Sequence, residues 1–143
     1  MSGVLDSPLG HHPDRNLVAG VEISSGSLGH GLPLAVGVAL GVRAQGIGAR
    51  VLVLVGDAEL DEGSNHEALE LAAALELDAL TVVAIDNRSS SYTVAGRIAD
   101  RFGAQGWHVR TVDGRDHDEL ESALCYRPQG APNVVVATVE DKS

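Results

Sequence analysis

The run Val51-Leu52-Val53-Leu54-Val55 stops at Gly56-Asp57, and a second run, Leu80 to Ile85, stops at Asp86-Asn87. Short stretches of β-branched residues and leucine with no polar alternation have no solvent-facing side, so each reads as a strand covered on both faces. Two more strands are expected at Trp107 to Val112 and, after Pro132, at Val134 to Thr138. Between the runs lie helical patterns at Leu32 to Gln45, Ser64 to Leu77, Ala95 to Phe102 and Asp116 to Leu124. Strands alternating with helices at this spacing demand right-handed crossovers and parallel pairing. The expected fold class is therefore α/β, a single domain with a mainly parallel sheet of four central strands flanked by helices. A length of 143 residues with 44% hydrophobic content supports one core and leaves no room for a second domain.

Several details of the helices follow from local chemistry. Pro33 falls in the first turn of its helix, where a missing N–H costs nothing. Gly37 and Gly41 share a face at i, i+4, which predicts a close helix-to-sheet contact. Ser64-Asn65-His66-Glu67 has the capping-box pattern, and Ala68, Leu71, Ala72 and Leu75 form the expected inward stripe. Residues 1–31 are rich in Gly, Ser, His and Pro without periodicity, so they read as a loop-rich segment lining a site, ahead of an α/β core over 32–139.

Composition narrows the partners. Ten basic against twenty acidic residues give a formal charge of −10, which disfavours binding to a nucleic-acid backbone. Aromatic content of 3% provides no stacking platform for bases. The one cysteine, Cys125, excludes an internal disulfide and fits a reducing compartment. No N-terminal stretch joins basic residues to an apolar segment, and the longest apolar run, near Gly31 to Val42, is too short to span a bilayer. A soluble cytoplasmic protein, with no membrane and no nucleic acid among its partners, is the expectation.

Asp57 and Asn87 both stand where a strand runs out, and an open parallel sheet exposes its ligand crevice at that edge. A carboxylate and an amide oxygen are hard ligands suited to Mg²⁺ or Ca²⁺. The small residues Gly56 and Ala58 let backbone N–H groups approach a phosphate, and the helix that follows points its positive end toward the same place. Together these features point to a metal-bridged diphosphate; the plainer alternative is a tight turn at Gly56-Asp57 and a strand-terminating Asn87. Zinc is disfavoured, since neither a His-Cys nor a His-x3-His spacing is present.

The sequence resembles the transketolase family over about Gly10 to Val139. Gly10-His11-His12-Pro13-Asp14, Gly20-Val21-Glu22 and Ser25-Gly26-Ser27-Leu28-Gly29-His30-Gly31 are similar to its G-H-P-E, G-V-E and T-G-P/S-L-G-Q-G segments, in the same order. Gly56-Asp57-Ala58-Glu59-Leu60-Asp61-Glu62-Gly63 is similar to G-D-G-x-L-x-E-G, with Asn87 as the downstream asparagine. Phe102-Gly103-Ala104-Gln105-Gly106-Trp107-His108-Val109 and Val112-Asp113-Gly114-Arg115-Asp116 resemble the F-x-A-x-G-W-x-V and V-D-G-H-D stretches.

The resemblance implies a thiamine-diphosphate-binding fold and a set of roles. Asp57 and Asn87 would give side-chain oxygens to Mg²⁺ (or Ca²⁺), and Ser89 a backbone carbonyl. Gly26, Ser27 and Leu28 would meet the aminopyrimidine and prop the bent cofactor, while Gly56, Ala58, Glu59 and Asn87 line its diphosphate. His12 would contact the donor sugar, and Glu62 would join a proton network with the partner. Ala58 departs from the second Gly of G-D-G, a small change if its φ is negative and an obstruction if it is positive. His11 and His30 replace a Gly and a Gln of the pattern.

Transketolase subunits are several times longer than this chain. The upstream and downstream histidines near the diphosphate, and the pyrimidine-binding domain with its activating glutamate, have no counterpart in these residues. The implied function is the diphosphate- and Mg-binding half of a split transketolase-like enzyme that moves a two-carbon ketol unit. It would be inactive alone and completed by a pyrimidine-domain subunit in a homo- or hetero-oligomer acting on a ketose-type substrate. The alternatives are a thiamine-diphosphate-dependent 2-oxo acid dehydrogenase component and a non-catalytic interaction or regulatory relative. A neighbouring gene for a pyrimidine domain would discriminate among them.

Overall fold

The computed structural model describes residues 12–92 and 94–141, so Gly10 and His11 lie outside the described residues. After a loop segment come helix α1 (Gly31–Ala44), strand β1 (Val51–Gly56), helix α2 (Gly63–Ala74) and strand β2 (Leu80–Asp86). They are followed by helix α3 (Arg97–Ala104), strand β3 (His108–Asp113), helix α4 (His117–Cys125) and strand β4 (Asn133–Thr138). The strands form one sheet in the order β1-β2-β4-β3, and all three pairings are parallel. The α/β architecture expected from the apolar runs is the observed one.

One face of the sheet carries the main core. Val51, Val55, Val82, Ala84, Val134 and Val136 pack there against Leu32, Val36 and Ala39 of α1, Ala68, Leu69 and Ala72 of α2, and Phe102 of α3. Phe102 and Trp107 meet edge to face with centroids 4.9 Å apart, and the indole N–H donates to the Leu69 carbonyl at 3.0 Å. That satisfies the polar end of a nearly buried ring. Alternation along the strands puts Val83, Val135 and Ala137 on the other face, where α4 lies against β3 and β4.

Four local expectations are corrected. Strand β1 is not covered on both faces: Leu52 and Leu54 are 55% and 67% exposed, because β1 is an edge strand and α4 reaches only the opposite half of that face. The Gly37-Gly41 face of α1 makes no close helix-to-sheet contact. A Cβ at either glycine would meet nothing within 4 Å among the described residues, since the sheet-facing side of α1 is the Leu32, Ala35, Val36, Ala39 side. The capping box does not form either. Helix α2 starts one residue early, Glu62 takes the N-cap position without a side-chain bond, and Ser64 is engaged elsewhere. The inward residues of α2 are Asn65, Ala68, Leu69 and Ala72, while Leu71 is exposed.

A candidate diphosphate and metal site

Strands β1 and β2 are adjacent, with Gly56 paired to Ile85, and the Asp57 N–H extends the ladder by donating to the Ile85 carbonyl at 3.0 Å. Asp57 and Asn87 therefore sit at the carboxyl edges of neighbouring strands. Asp57 is only 4% exposed. Its Oδ1 accepts from the Ala58 N–H at 2.8 Å and the Ser89 hydroxyl at 2.5 Å, and its Oδ2 from the Ser90 N–H at 3.1 Å. Burial pushes the carboxyl pKa up, but the hydrogen bonds from the Ser89 hydroxyl and from the Ser90, Ala58 and Ser89 N–H groups outweigh it and hold it below the ordinary value. The result is a buried, ionised carboxylate at the sheet edge.

The loop after β2 is shaped around it. Asn87 Oδ1 accepts from the Ser89 N–H at 3.2 Å, an Asx turn. Between them Arg88 has φ 53°, a left-handed conformation that a non-glycine residue adopts at a cost. Ala58 has φ −67°, so its methyl group is accommodated where the family pattern has glycine. The backbone after it turns through a 3-10 segment, Glu59–Asp61, into the N-terminus of α2.

The loop ahead of α1 is pinned to this same turn. A Cβ on Gly29 (φ 86°) would lie 2.5 Å from Glu62 Cβ, so the glycine permits both the turn and the close approach. The Ser64 hydroxyl donates to the Gly29 carbonyl at 2.8 Å, and the Gly31 N–H donates to Glu59 Oε1 at 3.2 Å. Asn65 Nδ2 completes the joint by donating to the Glu59 carbonyl at 2.7 Å. The His12 ring lies against Gly26, where a Cβ would come within 2.9 Å of its Cδ2. Ser27 Oγ and His30 Nε2 are 3.3 Å apart. Leu28 is 60% exposed and Glu62 is exposed at the mouth of α2, so both face outward from the joint.

The structure thus brings Asp57, Ala58, Asn87 and Ser89 together at one sheet edge, and ties Gly26 to Leu28 through Gly29 and Gly31 to the Glu59–Ser64 turn. Sequence reasoning missed Asp61, Ser64 and Ser90, whose bonds join segments about thirty residues apart. Polar side chains in loops carry no periodic signal, and the run of serines at 89–91 reads from the sequence simply as a loop. A hard ion would find one buried carboxylate, one amide oxygen and backbone carbonyls. Among the described residues no group of three or more His, Cys, Asp or Glu could hold a metal by itself, so ligand oxygens would have to complete the shell.

Fold and site together define a parallel α/β domain whose sheet edge presents, among the described residues, a single buried carboxylate, Asp57. Residues 4–138 match the model of the family described as "Transketolase, thiamine diphosphate binding domain". The chain belongs to the transketolase family, as its thiamine-diphosphate-binding domain. A relative named "Ferredoxin fas2" from Rhodococcoides fascians is 50% identical over 96% of this chain and 46% of its own length. The single cysteine here cannot supply the four thiolates of an iron–sulfur cluster, so that name does not transfer to these residues. One of the subunits of an apulose-4-phosphate transketolase from Actinobacillus succinogenes is 39% identical over 92% of this chain and 50% of its own. The transketolase structure from Leishmania mexicana superposes with a TM-score of 0.82 at 30% identity, over 93% of this chain and 23% of the other. The chain spans about half the length of these curated relatives.

Proposed function

We propose that this chain is the diphosphate- and Mg²⁺-binding half of a two-chain transketolase, completed by a separate pyrimidine-domain subunit. The observation that carries the reading is the buried, ionised Asp57 at the β1 edge beside Asn87 at the β2 edge. A carboxylate taken out of water costs free energy unless a cation or donors compensate it, and a divalent ion lets it share a site with an anionic diphosphate. Support for a two-chain enzyme comes from the Actinobacillus succinogenes relative, which is named as one subunit of a transketolase.

In this reading Asp57 and Asn87 give side-chain oxygens to the ion and Ser89 its carbonyl. Gly56, Ala58 and Glu59 form the turn under the diphosphate. Gly26, Ser27 and the exposed Leu28 support the ring end of the cofactor, and the Gly29 and Gly31 contacts hold that loop in register with the turn. Bound thiamine diphosphate supplies an electron sink for breaking a carbon–carbon bond beside a carbonyl. His12, placed on Gly26, would donate or accept a proton at the donor sugar, and Glu62, exposed at the start of α2, would meet the partner chain. The substrate class is a ketose donor whose two-carbon ketol unit is transferred, and the compartment is the cytoplasm.

The test is calorimetric titration of Mg²⁺ and thiamine diphosphate into the chain reconstituted with its pyrimidine-domain partner, beside a ketol-transfer assay. Asp57→Ala is expected to abolish cofactor binding with the fold intact. Asn87→Ala is expected to weaken binding less, because water can replace a neutral ligand. The unpartnered chain should bind weakly and not turn over. Equal cofactor affinity in the wild type and Asp57→Ala would overturn the metal reading and leave a non-catalytic interaction role.

A further inference from the structure

Asp61 stands outside the ligand set, yet it is connected to that set on two sides. Its Oδ2 accepts from the Ser90 hydroxyl at 2.5 Å, and the Ser90 N–H donates to Asp57 Oδ2 at 3.1 Å. Its Oδ1 faces the guanidinium groups of Arg97 at 3.6 Å and Arg101 at 3.5 Å, both from α3. Arg101 is itself anchored, donating to the Leu60 carbonyl at 2.5 Å. Only 15% of the Asp61 side chain is exposed, so these contacts are better shielded from solvent than a surface ion pair. Asp57, Asp61, Asp86 and Ser90 border a cavity of about 20 Å³, room for one water.

From this arrangement we infer that Asp61 and Ser90 form a strut that positions Asp57 for the metal, with α3 as its foundation. This rests on the reading of Asp57 as a metal ligand. Strain and charge both favour such a strut. The loop after β2 carries a strained residue, Arg88, and approaches Asp57 through the Ser89 hydroxyl and the Ser90 N–H. A strained loop holds one conformation only where surrounding contacts over-determine it, and the Ser90–Asp61 bond ties this loop to the turn after β1. A second carboxylate near Asp57 would compete for the ion or draw it off centre, but the two arginines neutralise Asp61 locally, whereas Asp57 is held by hydrogen bonds from neutral donors and keeps its charge for the ion. Asp61 and Ser90 are positioning residues in this account. They orient the Asp57 carboxylate and the loop that carries Ser89.

The experiment compares the wild type, Ser90→Ala, Ser90→Thr, Asp61→Ala, the Ser90→Ala/Asp61→Ala double variant and Asp57→Ala in the reconstituted complex. Mg²⁺-dependent thiamine diphosphate affinity is read by calorimetry. Amide hydrogen exchange at position 90 is read in metal-free protein, so one readout is independent of cofactor. Ser90→Ala and Asp61→Ala should each weaken affinity about tenfold, the effect of losing one hydrogen bond to a charged group. The double variant should be no weaker than the worse single one, since both remove the same link. Ser90→Thr should retain near wild-type affinity because it keeps the hydroxyl, and Asp61→Ala should speed exchange at Ser90. Should Asp61→Ala fail to fold once its arginines lose their partner, the two Ser90 variants decide the matter. If Asp57→Ala abolishes binding while Ser90→Ala binds like the wild type, the strut is wrong and the metal reading stands. Additive losses in the double variant would also overturn the strut. If Asp57→Ala binds normally, both fall together.

Discussion

Arg88 shows how a single residue is placed under strain by the loop it belongs to. With φ 53° it turns the chain between Asn87 and Ser89, and its charged partner among the described residues is the exposed Asp141, at 3.2 Å. Such a surface pair is worth about 0–1 kcal/mol, whereas a left-handed non-glycine residue costs about 1–2 kcal/mol. Arg88→Gly is therefore expected to leave stability unchanged or raise it by up to about 1 kcal/mol, after allowing for the greater freedom of glycine in the unfolded chain. Urea unfolding of the two proteins measures it, and a loss of more than about 1 kcal/mol would show that the ion pair, not the turn, governs this position. Ala58 illustrates the opposite outcome. Its negative φ accommodates a methyl group, so the departure from the family's glycine leaves the turn intact. The sequence posed that alternative, and only the backbone conformation resolved it.

Among the elements, the joint between the Gly26–Gly31 loop and the start of α2 is the most specific. The capping box read from Ser64 to Glu67 fails because Ser64 has a better use, donating to the Gly29 carbonyl across the joint. Tertiary context overrides a local capping signal here, and α2 begins without a side-chain cap. Gly29 is the residue this joint depends on. An alanine there would adopt φ 86° and press its Cβ against Glu62 Cβ at 2.5 Å. Left-handed strain and overpacking each cost roughly 1 kcal/mol or more. Gly29→Ala is thus expected to destabilise the chain by at least about 2 kcal/mol, read as a lower urea midpoint. Gly37→Ala serves as the control. Nothing among the described residues lies within 4 Å of the added methyl, and alanine favours a helix by about 1 kcal/mol over glycine, so that variant should be more stable.

For the whole molecule, the apolar surface is not closed by the residues described. Leu52 and Leu54 on the edge strand, Leu34 and Val38 on α1, and Leu28 beside the site are all exposed. Surfaces of this kind mark contacts with other chains. We expect the isolated chain to associate as its concentration rises and the pyrimidine-domain partner to suppress that association; sedimentation velocity with and without the partner checks this. A strictly monomeric chain that ignores the partner at every concentration would count against the two-chain enzyme. No helix among the described residues is long and apolar enough to cross a membrane. The order of strands and helices, the parallel sheet and the placement of Asp57 and Asn87 at its edge were legible in the residues alone, because apolar runs and helical spacing are local, repeating signals. Which half of the sheet stays bare, which serine caps which carboxylate and how Asp61 is held between α3 and the Ser90 loop were decided only by the tertiary structure. Those features are contacts between segments far apart in the chain, and a polar side chain's partner depends on which loop the fold brings beside it.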